Sequence, residues 1–263
     1  MSNKKKAAIA DITEGLFRWE LWLLLAWGDI QRRYRRSLFG PLWTSLSVGV
    51  FVLALGPLYA QLMHVDLESY LPHLILGMLA WNLMANVMLE GCREFTGSGE
   101  LIRSIRLPYS MFIYRLVARN GIVFLYQSLV FVGAAVVLGL APNVKWLLVI
   151  PGFILFVLNM IWIGFICSLV ATRYRDFIEL LSAALRIMFF VTPIIWMPDV
   201  SPRFEVVAEW NPVFHFIEVL RGPFMLAQIN VHAWIVMTVF TVAGLTIAMK
   251  LFVKYRSRVA FWL

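Results

Sequence analysis

The sequence predicts an all-α integral membrane protein. It has six transmembrane helices, an N-terminal amphipathic helix lying in the membrane interface, and short external helices before the last span. Three observations predict it. Of 263 residues, 61% are hydrophobic and only 14% are charged, where a soluble domain carries about a quarter charged residues. Apolar runs approaching or exceeding the ~20 residues of a span recur along the chain. Lys and Arg divide unevenly between the two sides that those runs define: 19 of the 23 fall on one side, 3 on the other, and Arg186 lies inside a span. The basic side is expected to be cytoplasmic, with both termini there and an even number of spans.

Residues 11–31 read as the interface helix. Asp11 with Glu14 three positions on makes a start like a capping box. Ile12, Leu16, Trp19, Leu23 and Trp27 recur every three or four residues, with Glu14, Arg18 and Asp29 off that stripe. The uninterrupted apolar piece from Leu21 to Trp27 is too short to cross. A Trp-rich helix with charged flanks lies in the plane of the interface or packs on a partner.

The cluster Arg32-Arg33-Tyr34-Arg35-Arg36 leads into Gly40-Pro41, and Pro41 suits the first turn of a helix. Spans are expected over 41–63, 71–89, 111–140, 146–171, 177–197 and 232–253. They form one bundle over 41–253 within a single transmembrane domain of 1–263. The charged segment 90–108 links the second and third spans. Within it Ser98 is expected to cap a helix running to Leu107, stopped by Pro108. Leu101, Ile102 and Ile105 would share one face and Arg103 and Arg106 the other. The segment 198–231 is too polar to span and is expected to hold two short helices, 201–210 and 211–221, with Gly222 as the stop.

Several chemistries are excluded by what is missing. There is no G-x-x-x-x-G-K-[ST] loop, and Gly97-Ser98-Gly99 followed by Glu100 is not a nucleotide fingerprint. No G-x-S-x-G elbow occurs. His64, His73, His215 and His232 are scattered, and no His/Cys set has metal spacing. Energy from ATP must then arrive through another chain. Cys92 and Cys167 sit in different surroundings and are not expected to form a disulfide. No cleavable signal follows Lys4, Lys5 and Lys6, because Asp11, Glu14, Arg18 and Glu20 interrupt the next stretch. The net charge of +8 fits contact with acidic headgroups, not nucleic acid.

Two groups of residues stand out as candidates for a transport path. Arg186 lies near mid-depth of the fifth span, where a charge costs about 2.5–3.5 kcal/mol on insertion scales and must face a cavity or a partner. Glu179 lies two turns earlier on the same face. Phe51, Tyr59, Phe189 and Phe190 more often pack in a bundle or against lipid in such positions, but could stack on sugar rings. The 32–36 cluster suits a lipid phosphate or simple anchoring.

The string Arg-Arg-Tyr-Arg-Arg-Ser-Leu-Phe-Gly-Pro-Leu-Trp at 32–43 carries a resemblance. So do Leu-Ile-Arg-Ser-Ile-Arg-Leu-Pro at 101–108, Arg-Tyr-Arg-Asp at 173–176 and Asn-Pro at 211–212. With the six spans, they resemble the membrane permeases of ABC transporters that export O-antigen, capsule and teichoic acid polysaccharides. The resemblance covers nearly the whole chain. It implies an inner-membrane homodimer with two separate ATPase subunits that hold ATP and Mg, and no cofactor in this chain. It implies export of a polysaccharide linked to undecaprenyl diphosphate, with O-antigen the first choice. By position, 94–107 would be the coupling segment on the ATPase, through Glu94, Glu100, Leu101, Ile102, Arg103, Ile105 and Arg106. Arg173 and Asp176 would make a second contact, and the 201–221 pair would be the external gate helices. Arg32, Arg33, Arg35 and Arg36 would lie where the lipid diphosphate enters. Arg186, Phe51, Tyr59, Phe189 and Phe190 would line the path. Two other readings compete. One is a drug or lipid efflux permease of the same superfamily. The other is an intramembrane transferase acting on a lipid-linked sugar, for which Asp199, Glu205, Glu209 and Glu218 are the candidate acids.

Overall fold

A computed structural model describes residues 3–225 and 229–263. Positions 226–228 of the polar 198–231 segment lie outside the described residues. Every regular element among the described residues is helical. In chain order these are α1 (Asn3–Phe17), α2 (Trp19–Tyr34), α3 (Leu42–Met63), α4 (Leu67–Gly97), α5 (Gly99–Ser104), α6 (Tyr109–Val137), α7 (Val149–Arg173), α8 (Phe177–Val191), α9 (Pro202–Trp210), α10 (Pro212–Arg221), α11 (Val231–Tyr255) and α12 (Val259–Trp262). Among the described residues, five helical stretches are long and apolar enough to cross a membrane: Leu42–Met63, Leu67–Gly97, Tyr109–Val137, Val144–Arg173 and Val231–Trp262. The chain is a multi-pass membrane protein.

Helix α4 is the axis of the bundle. It packs against α3, α6, α7, α8 and α10. Its middle turns are buried all round, from Tyr70 through Leu74, Ile75 and Leu79 to Val87. A helix apolar on every side is what the centre of such a bundle needs. Helices α7 and α11 approach closely at Gly244, where an added Cβ would meet the Trp162 ring at 2.2 Å. A hydrogen bond ties the same pair: Asn159 Nδ2 donates to Thr241 Oγ1 at 2.7 Å, while within α7 Asn159 Oδ1 accepts from Trp162 Nε1 at 2.8 Å. Small residues and interhelical hydrogen bonds hold helices together where lipid removes the hydrophobic driving force.

Several local expectations are corrected. Residues 11–31 are not one helix. The chain is helical from Asn3 and bends at Arg18 between α1 and α2. Asp11 is therefore mid-helix and 2% exposed. It accepts from the backbone N–H groups of Tyr109 and Ser110 at 3.2 and 3.0 Å, so it caps α6 and not its own helix, while Arg256 Nε donates to it at 2.8 Å. Most of the predicted stripe faces outward, as an interface helix requires: Leu16, Trp19, Leu23 and Trp27 are exposed, whereas Ile12 packs inward and Ala8, Gly15, Ala26 and Ile30 face the protein. Such an outward Trp and Leu surface suits the lipid interface.

The predicted charged link at 90–108 is mostly helix. α4 continues through Glu90 and Glu94 to Gly97, a rise of about 46 Å at 1.5 Å per residue. That overshoots a ~30 Å hydrocarbon layer. Ser98 makes no capping hydrogen bond, and α5 stops at Ser104, three residues short of the expected end.

The segment 177–197, expected as the fifth span, is helical only to Val191. Fifteen residues rise about 22 Å, short of the hydrocarbon thickness. Pro193 disfavours helical backbone at Thr192, whose conformation is extended. Gly222 does follow the last residue of α10, but in right-handed conformation, so the helix does not end through a left-handed glycine.

Candidate functional site

The sequence places Asp29, Glu90, Glu94, Arg115 and Arg119 on three separate segments, and the fold gathers them at one point. Arg115 Nε and Nη2 donate to Asp29 at 2.7 and 2.8 Å. Arg119 Nη1 donates to Asp29 Oδ2 at 2.8 Å. The same guanidinium reaches Glu90 at 2.9 Å and Glu94 at 3.1 Å. Asn120 Nδ2 and Arg33 also donate to Glu90, at 2.9 and 2.6 Å. Ser98 Oγ, idle as a cap, accepts from Arg115 at 3.5 Å. Helical spacing explains the donors: Arg115 and Arg119 are four apart on α6, as are Glu90 and Glu94 on α4, so each pair shares a face. Burial alone would raise the Asp29 pKa, but its hydrogen bonds to Arg115 and Arg119 outweigh that and hold it at about 2. α2 is thereby clamped to α4 and α6 by charge.

That clamp rearranges the expected sites. Glu94, assigned to the ATPase contact, is buried beside Arg119, 6% exposed, with Oε1 lacking any hydrogen bond. It faces the bundle interior. The 32–36 cluster divides: Arg32 pairs with Asp29 and Arg33 with Glu90. Arg35 and Arg36 are exposed and pair with no described acid.

On the 99–107 segment, Leu101 and Ile102 pack inward on the cluster of Phe95, Met111 and Phe112. Ile105 is extended and 51% exposed, so it does not share their face. The outward set is Glu100, Arg103, Ile105 and Arg106. α12 packs on α5 from the C-terminal side. Arg173 and Asp176 are exposed at the end of α7 and the start of α8.

The path candidates separate as well. Phe189 packs edge-on against Trp81 at 5.5 Å, and Phe190 is 68% exposed. Phe51 and Tyr59 are half-buried against the main core on α3. Arg186 is exposed on α8, on one stripe with Glu179, Ala183 and Phe190, and makes no ion pair with a described residue. Nine residues beyond Phe177, it stands about 14 Å into the helix.

At the opposite end a second knot holds the irregular 192–197 strand of chain, which sequence reasoning did not foresee. Arg221, 2% exposed, donates to the Pro193 carbonyl at 2.8 Å and to Glu218 at 2.8 Å. Tyr70 donates to the Ile195 carbonyl at 2.5 Å. His73 Nε2 lies 3.2 Å from the Trp196 carbonyl, and Asn211 Nδ2 donates to Thr192 Oγ1 at 2.9 Å. Non-helical backbone at this depth is tolerated only when its polar groups find such partners. Asp199, Glu205, Glu209 and Glu218 do converge, lining a 210 Å³ crevice with His73 and Arg221. Only Glu218 among them pairs with a described base.

Comparison with known proteins adds the family context. The model of the family described as "ABC-2 type transporter" matches residues 20–225. An O-antigen export system permease protein RfbA of Klebsiella pneumoniae is 27% identical over 249 residues, covering 91% of this chain and 94% of the relative. A second from the same species is 26% identical over the same shares. An O-antigen export system permease protein RfbA of Myxococcus xanthus is 23% identical over 202 residues, 73% of this chain and 75% of the relative.

Proposed function

The chain belongs to the ABC-2 type transporter family, and from that premise we propose that it is the permease of an exporter carrying O-antigen polysaccharide linked to undecaprenyl diphosphate. It is a transport permease, not an enzyme with its own ATPase site. The observation that carries the proposal is similarity to O-antigen export permeases along nearly the whole of both chains.

In this reading two copies form the membrane channel in the bacterial inner membrane, both termini are cytoplasmic, and two ATP-binding subunits dock beneath. What supports dimerisation is α8, which buries only Leu185 fully and leaves Arg186 uncovered. A charge at that depth needs a wet path or a partner. Phe190 on the same stripe, with Phe51, Tyr59 and Phe189 nearer the core, would complete the path. α8 with 192–197 makes the sixth crossing, its irregular part held by the Arg221 knot. α9 and α10 serve as the external gate helices.

Coupling to ATP hydrolysis falls to the outward residues Glu100, Arg103, Ile105 and Arg106, supported by Leu101 and Ile102 from behind. Asp176 supplies a second contact with its neighbour Arg175, in place of the sequence-assigned Arg173, whose guanidinium lies against the Tyr174 and Trp262 rings. Arg35 and Arg36, free of acids, receive the lipid diphosphate. A push on α5 passes to α4 and α6, which are joined by the ion clamp and move as a rigid pair.

Co-purification from native membranes, with mass identification of every subunit and of bound glycolipid, tests the proposal. An ATP-binding subunit at one copy per permease and a polyprenyl diphosphate glycan are expected. A permease that purifies without ATPase and without glycolipid would overturn it.

A further inference from the structure

At the basic end of the bundle, α7, α11 and α12 enclose a cavity of 460 Å³ lined by Leu169, Val170, Arg173, Tyr174, Leu251, Tyr255, Arg258 and Trp262. Its composition is unusual for this end of the molecule. Arg173 and Arg258 both line it, no carboxylate does, and neither pairs with an acid among the described residues. This contrasts with Arg115, Arg119 and Arg256, which are all matched to carboxylates. The rings are placed around the cation: the Arg173 guanidinium sits 5.6 Å from the Trp262 ring and 5.8 Å from the Tyr174 ring. Tyr255 and Trp262 lie 5.6 Å apart, and the Lys254 ammonium stands 5.1 Å from the Tyr255 ring.

The other wall is apolar. Leu169, Val170 and Leu251 belong to the last turns of two membrane-crossing helices. One turn deeper, Ile247 on α11 is exposed on the outer surface. The cavity thus joins a cationic, aromatic rim to an apolar surface facing lipid. A phosphate ester on an acyl chain has both characters: the phosphate takes the two forked guanidinium donors, and the chains follow α7 and α11 into the bilayer. Tyr and Trp at the depth of the headgroups add the interfacial contacts that such a molecule meets.

We infer that this cavity is a binding site for the phosphate headgroup of an anionic glycerophospholipid drawn from the surrounding bilayer, with Arg173 and Arg258 as its phosphate ligands. The lipid wedges α12 against α7 and α11, and because α12 packs on α5, it braces the outward segment from the C-terminal side. The inference concerns the bilayer's own lipid and does not depend on which substrate is exported.

The test uses the full chain with its co-purified subunits, in nanodiscs of phosphatidylcholine doped with phosphatidylglycerol. Retained lipid is read by native mass spectrometry. Phosphatidylglycerol should be enriched on the wild type. Arg173→Gln with Arg258→Gln should lower its retention about thirty-fold, roughly five-fold per arginine. Lys4→Gln with Lys5→Gln, the same loss of charge at the exposed start of α1, should leave retention unchanged. Equal losses in both double variants, or no loss in the first, would overturn the inference. Val170→Trp keeps both charges but fills the apolar wall, and should also displace the lipid; full retention there would overturn it even if the arginine variant fails to fold. In discs of phosphatidylcholine alone, inorganic phosphate or an ATP-binding subunit that shields Arg173 from phenylglyoxal as well as phosphatidylglycerol does would make the ligand a free anion or a protein, and would equally overturn it.

Discussion

Arg119 on α6 donates to Asp29 on α2 at 2.8 Å across ninety positions of sequence. The same guanidinium holds Glu90 and Glu94 of α4. One side chain therefore joins the amphipathic N-terminal helix to the two long helices that flank the exposed α5 segment. Breaking a buried charge pair by removing one partner costs about 3–5 kcal/mol, because the remaining charge is stranded. Asp29→Asn should lower the thermal midpoint of the nanodisc-embedded protein and raise hydrogen exchange over 19–34 ahead of the bundle. Unchanged exchange in α2 would mean that apolar contacts alone hold it.

Acid should release the same helix. Asp29 is held at about 2, below its ordinary 3.8, because its Arg hydrogen bonds outweigh burial. Its contribution is complete above the unfolded value and is lost as pH falls through the folded one. Thermal stability of the wild type should thus drop between about pH 4 and pH 2 more steeply than that of Asp29→Asn. The difference between the two curves isolates Asp29 from Glu90 and Glu94.

Arg186→Leu removes a charge that costs about 2.5–3.5 kcal/mol at mid-depth and that has no ion-pair partner among the described residues. The variant should be at least as stable as the wild type and fail to export glycan in cells. Normal export at normal protein level would remove Arg186 from the path.

Arg103→Glu and Arg106→Glu reverse exposed charges outside the ion clamp. Insertion and folding should be unaffected, while ATP hydrolysis by the assembled complex no longer drives glycan export in reconstituted vesicles. Coupled transport at the wild-type ratio would remove α5 from the ATPase contact.

Gly244→Ala tests the α7–α11 contact. A Cβ there would lie 2.2 Å from the Trp162 ring, which Asn159 and Thr241 hold in place. Overpacking of this kind costs about 1–3 kcal/mol. A lower thermal midpoint is expected, partly restored by Trp162→Phe, whose smaller ring yields the space.

How much of this was legible beforehand differs from residue to residue. Hydropathy alone located five membrane-crossing helices, the polar break near 198 and the N-terminal amphipathic helix. Each rests on a property of neighbours within a few turns. The motif at 32–43 and the Arg-Tyr-Arg-Asp link at 173–176 were the most specific carriers of the family resemblance. The same local reasoning misplaced Asp11, because its capping geometry is equally good for a helix 98 positions away. It placed Leu16, Trp19, Leu23 and Trp27 either in the membrane interface or against a partner without deciding between the two. Lipid is as apolar as a protein core, so an apolar face in a membrane protein carries no sign of inside or outside.

The amino-acid sequence by itself determined that the chain is helical, where five of its helices are long and apolar enough to cross the membrane, and which end is basic. These follow from composition and period. Only the tertiary structure decided that Arg33 belongs to Glu90 while Arg35 stays free, that Glu94 turns inward, and that Arg221, Tyr70 and His73 satisfy the backbone beyond the break that Pro193 favours at Thr192. Charges choose partners by distance in space, and a hydrogen bond between positions tens of residues apart leaves no periodic trace along the chain.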